Sequence, residues 1–185
     1  MIHRRSILAG LFAVAGWFAA AVPSRAAAGE PVPGEWRHVD QTVHYYGFTT
    51  TYSCDAMEAR VTQILRHLGA RKDLKVVAQG CASGPLAQYQ GLWIHADFYA
   101  LRPAGADTRD PVPAHWVEIG LKPQHPNFME EADCELVSEL KPLLVGSFGL
   151  NPETYTTNCQ PNTFILNSYA VQGRVLEPLK KASGG

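Results

Sequence analysis

Two stretches of the 185-residue chain carry the reading of its fold: SCDAMEARVTQILRHLG, residues 53–69, and DCELVSELKPLLVGSFG, residues 133–149. In the first, Met57, Val61, Ile64, Leu65 and Leu68 recur at i, i+4, i+7, i+8 and i+11, which is one apolar stripe on a helix. Asp55 and Glu58 have the spacing of a capping box, Ser53 is an alternative cap, and Gly69 suits the stop. In the second, Leu136, Val137, Leu140, Leu143 and Leu144 make a similar stripe from about Asp133. Pro142 is expected to kink or end that helix, because it removes a hydrogen bond and clashes with the preceding turn.

Each stretch opens on a cysteine that has a partner a fixed distance on. Cys54 and Cys81 are 27 residues apart, and Cys134 and Cys159 are 25 apart. No C-x-x-C is present, which disfavours a thioredoxin-like centre, a zinc ribbon or a haem attachment site. An even cysteine count behind an export signal predicts two disulfides. Four cysteines allow three pairings, and spacing alone does not choose among them. A repeated unit favours pairing within each half.

The segments around the helices read as strands. Val43–Ser53 is rich in aromatic and β-branched residues, and Lys75–Ala78 is short and leads to Cys81. Over Leu92–Leu101 one parity is apolar (Leu92, Ile94, Ala96, Phe98, Ala100), and the other carries Trp93, His95, Asp97, Tyr99 and Leu101. His115–Lys122 places Val117, Ile119 and Leu121 inward with Trp116, Glu118 and Lys122 outward. The two strands flank one Pro- and Gly-bearing loop, so a hairpin is expected. Thr154–Thr157 and Phe164–Val171 complete the set. The order strand–helix–strand–strand then occurs twice. The predicted fold is α+β: an antiparallel or mixed sheet with both helices on one face, a two-fold βαββ pseudo-repeat and two disulfides.

The N-terminus carries Arg4 and Arg5, an apolar run from Ile7 to Val22 and a small-residue site at Ala26–Ala28, the three parts of a secretory signal peptide. The run is shorter than the roughly 20 residues of a membrane span. Residues 1–28 are therefore expected to be cleaved. The general secretory route is favoured over the twin-arginine route that Arg4-Arg5 also suggests, since structural disulfides form after export of an unfolded chain. Residues 29–42 read as a flexible lead-in, 43–178 as one domain and 179–185 as a tail. Cleavage removes three of the 16 basic residues and none of the 17 acidic ones, leaving a charge of about −4. Such a surface argues against nucleic acid and anionic membrane as partners.

Candidate chemistry lies on the outward strand faces. Trp93, His95, Asp97, Tyr99, Trp116 and Glu118 form an aromatic and polar set suited to a glycan, peptide or protein partner. A twin subunit is another occupant of that face, giving a homodimer. His95 and Asp97, at i and i+2, are the best pair for copper or zinc, although no H-E-x-x-H spacing accompanies them. A hydrolase with a non-contiguous His/Asp site is a further alternative. No G-x-S-x-G, S-x-x-K or phosphate-cradling loop is present, and no cofactor is expected.

Tyr46-Gly47-Phe48-Thr49-Thr50-Thr51-Tyr52-Ser53-Cys54-Asp55, continuing to Gly80-Cys81, resembles a segment of uncharacterised exported proteins of Gram-negative bacteria. It covers about a fifth of the chain and implies no activity. Together these readings give an exported, periplasmic or secreted binding or accessory protein.

Overall fold

A computed structural model describes residues 30–81 and 91–179. The signal segment, Ser83-Gly84-Pro85, whose sequence reads as a turn, and the tail beyond Leu179 lie outside the described residues. The elements run β1 (Val32–Tyr45), α1 (Cys54–His67), β2 (Lys75–Gln79), β3 (Leu92–Pro103), β4 (Val112–Leu121), α2 (Cys134–Phe148), β5 (Tyr155–Thr157) and β6 (Tyr169–Pro178). They form an antiparallel six-stranded sheet of order β2-β3-β1-β4-β6-β5. Among the described residues no helix is long and apolar enough to cross a membrane.

That order is a palindrome of the two βαββ halves, and its centre is legible in residues. Val32-Pro33-Gly34 pairs with Ala114-Pro113-Val112, so Pro33 lies opposite Pro113, the residue 80 positions later. The surrounding sequences, PVPGEW from Pro31 and PVPAHW from Pro111, are near copies. Cys134 follows Cys54 by the same interval, and Phe148-Gly149 follows Leu68-Gly69 likewise. Both glycines are left-handed, with φ of 87° and 69°, as helix stops require. The closing contacts repeat too: Ala104 N–H donates to Pro33 O at 2.9 Å and Leu179 N–H to Pro113 O at 2.8 Å. Each disulfide joins the first residue of a helix to the cysteine two residues beyond the following strand, Cys54–Cys81 and Cys134–Cys159, as the repeat implies.

Several boundaries differ from the sequence reading. The lead-in is largely strand: β1 begins at Val32, with Pro33 tolerated because its missing N–H falls where the β3 ladder ends. Conversely, Tyr46–Ser53 leaves the sheet. The Glu135 carboxylate captures the N–H groups of Phe48 and Thr49 at 3.0–3.2 Å and the Thr49 hydroxyl at 2.9 Å. β3 and β4 do not form a hairpin, because β1 lies between them. Ser53, not the Asp55–Glu58 box, caps α1; Glu58 instead accepts the Ala78 N–H of β2 at 2.9 Å. α2 runs through Pro142 to Phe148. An interior proline costs about 3 kcal/mol, but Leu143, Leu144 and Phe148 beyond it are buried, at roughly 1.5–3 kcal/mol each. The packing prevails. Phe164–Ser168 is not strand, since Asn167 takes a left-handed φ of 53° and β6 starts at Tyr169.

Both helices share one core with the inward strand residues, from Met57, Val61 and Ile64 to Leu92, Ile94, Phe98, Leu136, Leu140 and Val171. A second, small cluster lies at the pseudo-axis on the other parity. Leu101, Ala114 and Leu176 are buried there beside Val32, Trp36 and Val112. Alternation places Leu101 outward, yet this cluster buries it.

α1 reaches one acceptor on the free edge of β4: His67 Nε2 donates to Gly120 O at 3.3 Å. Burial pushes the His67 pKa below its ordinary 6.5 and His125 adds to this, while the Gly120 carbonyl and Glu177 oppose it. The unfolded chain therefore takes up a proton on falling through pH 6.5 that the folded chain refuses, so stability drops as pH falls below 6.5. In thermal melts at pH 7 and pH 5, His67→Gln is expected to lose part of that acid-induced drop. An unchanged pH dependence would show that His67 does not contribute to it.

Candidate functional site

The outward parity of β1 and β3 presents one continuous polar-aromatic surface. In register, Trp36 faces Leu101, His38 faces Tyr99, Asp40 faces Asp97, Thr42 faces His95 and His44 faces Trp93. β2 adds Lys75, Val77 and Gln79 opposite Asp97, His95 and Trp93. Trp93 is 54% exposed. One face of its ring stacks on His44, centroids 4.0 Å apart and planes 29° apart, and Tyr46 meets the His44 ring edge-on at 3.9 Å. The indole also borders an open groove of about 410 Å³ lined by Thr42, Val77, Gln79 and His95. At the other end, the Arg71 guanidinium lies 3.6 Å over Tyr99 and 5.9 Å from Trp36, held by a bidentate contact to Asp73 at 2.7–2.8 Å.

Between these ends run two diagonal His–Asp contacts. His38 Nε2 lies 2.8 Å from Asp97 Oδ1, and His95 Nδ1 lies 3.7 Å from Asp40 Oδ1. His95 Nδ1 is also 3.3 Å from Thr42 Oγ1. A carboxylate–imidazole–hydroxyl relay needs acid and nucleophile on opposite ring nitrogens. Here both approach Nδ1, so Thr42, His95 and Asp40 do not form one. Nor do His95 and Asp97 converge on a common point, since each turns to a different residue of β1. Among the described residues no group of three or more His, Cys, Asp or Glu side chains is arranged to hold a metal ion.

The six residues singled out from sequence therefore divide. Trp93, His95, Asp97 and Tyr99 belong to the β1–β3 surface. Trp116 and Glu118 stand on β4, beyond β1. Trp116 is 40% exposed, lies 5.5 Å from the Arg174 guanidinium, and with Glu118 borders a separate groove of about 420 Å³ beside Asn151 and Thr154. Trp36 and Trp116 occupy equivalent places in the two halves. Sequence reading missed Trp36, His38, Asp40 and Thr42, because Pro31, Pro33 and Gly34 made residues 29–42 look like a linker; His44 lay in the strand read from Val43 but was not singled out as a site residue. The available signal was partial: Val39, Val43 and Tyr45 share one parity with the polar Arg37 and Gln41.

A buried polar cluster braces this scaffold from behind. Asp133 is fully buried, accepts the Tyr52 hydroxyl at 2.6 Å and the Glu130 N–H at 2.7 Å, and lies 3.3 Å from Arg60. Burial raises its pKa above the usual carboxylate value, against the hydrogen bonds from Tyr52 and Glu130 and the charge of Arg60. No protein-family model, curated protein or solved structure matches this chain.

Proposed function

We propose that the protein is an exported, periplasmic or secreted binding or accessory protein, and that the β1–β3 surface around Trp93 takes a glycan. The carrying observation is Trp93 itself, half exposed yet immobilised against His44 and bordering an open groove. A large rigid ring loses little conformational freedom on binding, so its contact area contributes to affinity. The neighbouring Gln79 amide, Thr42 hydroxyl and His95 imidazole are hydrogen-bonding groups suited to sugar hydroxyls. The disulfides are compatible with an oxidising compartment, and the signal-like N-terminus and the resemblance to exported proteins point the same way.

The test is a screen on glycan and peptide arrays with the wild type, Trp93→Ser and Trp116→Ser. Glycan capture that disappears with Trp93→Ser and persists with Trp116→Ser is expected, and the melting temperature of Trp93→Ser should change little. Capture of peptides alone, or equal loss in both variants, would reject this seat for a glycan.

A further inference from the structure

We propose that the free edge of β1, from Trp36 to His44, accepts an extended acidic peptide as an added strand. This site uses the main chain of Thr42 and His44, whose side chains belong to the Trp93 surface, but does not rest on the glycan reading. In an antiparallel ladder successive residues turn their N–H and C=O groups to opposite edges. Pro33 O accepts from Ala104 on the β3 side, so the odd-numbered residues of β1 bond β3 and the even-numbered ones face away. Val32 and Gly34 find β4 there. Trp36, His38, Asp40, Thr42 and His44 face an edge with no strand beside it among the described residues.

The two halves differ at this edge. On the equivalent edge of β4, His67 bonds Gly120 O, while Trp116 and Glu118 have no strand beside them there among the described residues. The residue equivalent to His67, 80 positions on, is Ser147, whose side chain is too short to do the same. Ser147 is only 6% exposed, its Oγ has no hydrogen-bond partner, and it lines an open groove of about 360 Å³ running beside Arg37, Val39 and Gln41. A buried hydroxyl without a partner costs free energy that an incoming polar group recovers.

Charge selects the occupant. Arg37 and Arg102 border the groove with His38 and Asp40; Arg37 lies 3.4 Å from the Glu35 carboxylate, Arg102 donates to Gly146 O at 3.2 Å, and the Asp40 carboxylate lies 3.7 Å from His95. A strand added here gains main-chain hydrogen bonds, and alternate acidic side chains meet the two guanidiniums. A second copy of β1 fits less well, because it brings Arg37 against the same cations, and charged residues along an edge discourage self-pairing.

The probe is an acetylated and amidated octapeptide of four Thr-Glu repeats, followed by amide hydrogen exchange. The amides of Trp36, His38, Asp40, Thr42 and His44 are expected to exchange about tenfold more slowly or better with peptide present, with Arg37 and Val39 unchanged. Ser147→His should place an imidazole against the edge, as His67 is placed against its twin, and weaken the peptide at least about tenfold. Asp40→Pro, which removes a free N–H without touching the β3 ladder, should do the same if Ser147→His fails to fold. The proposal is overturned if the amides do not respond, or if a Thr-Lys peptide protects them equally. Concentration-dependent protection without peptide, together with a dimer in sedimentation, would assign the edge to a second copy instead.

Discussion

Asp133→Ala is expected to lower the unfolding free energy by about 3–5 kcal/mol, the range for removing one partner of a buried ionic cluster. The substitution strands the hydroxyl of Tyr52, leaves the Glu130 N–H without its acceptor and takes one of two carboxylates from Arg60. Tyr52 and Tyr169 both have their hydroxyl pKa pushed far up, first by burial, so neither gains by ionising when the network is cut. Asp133→Asn keeps the volume and an acceptor for Tyr52, and should cost less. It also tests the titration. Because the folded carboxyl holds its proton to a higher pH than the unfolded one, its contribution to stability declines as pH rises from about the ordinary value of 3.8 through the raised one. Asp133→Asn should remove that decline. Urea unfolding followed by circular dichroism at pH 4 and pH 7 measures both effects. A loss below about 1 kcal/mol for the alanine variant would mean that the cluster is not a brace.

Reducing the two disulfides should unfold the protein at 37 °C. Opening loops of 25 and 27 residues relaxes a constraint worth roughly 3–4 kcal/mol each in the chain-entropy account. Together that approaches the whole stability of an ordinary domain, about 5–15 kcal/mol. The halves should not respond equally. α2 contributes nine buried residues and α1 four, so Cys54→Ser with Cys81→Ser should loosen α1 and β2 before the rest. Cys134→Ser with Cys159→Ser should lower global stability. Hydrogen exchange on each double variant separates the outcomes. Retained melting temperature after full reduction would show that the core alone suffices.

The helices were legible because their apolar stripes recur every three to four residues over 14 and 15 positions, long enough for the period to stand out. The inward face of β3 was legible for the same reason at period two. β1 was not. Prolines and a glycine at its start signal a turn in isolation, and only pairing with β3 on one side and with its own symmetry mate on the other makes them strand. Half of the candidate surface was lost with it. The pairing of Trp93 with Trp116 failed for a related reason: alternation says which face a residue takes, not which strand lies next to it.

By itself the sequence determined what is local or repeated: the positions of both helices, the inward face of β3 and the duplicated βαββ order, which favours the cysteine pairing found. Tertiary structure decided adjacency. β1 and β4 meet at a self-complementary Val-Pro-Gly/Val-Pro-Ala contact, which separates β3 from β4 and places His38, Asp40 and His44 beside Asp97, His95 and Trp93. It also decided which groups at the strand edges find partners. His67 bonds Gly120 O, whereas the buried Ser147 hydroxyl at the equivalent position has no hydrogen-bond partner. No local pattern in the chain encodes that difference within a near-symmetric sheet.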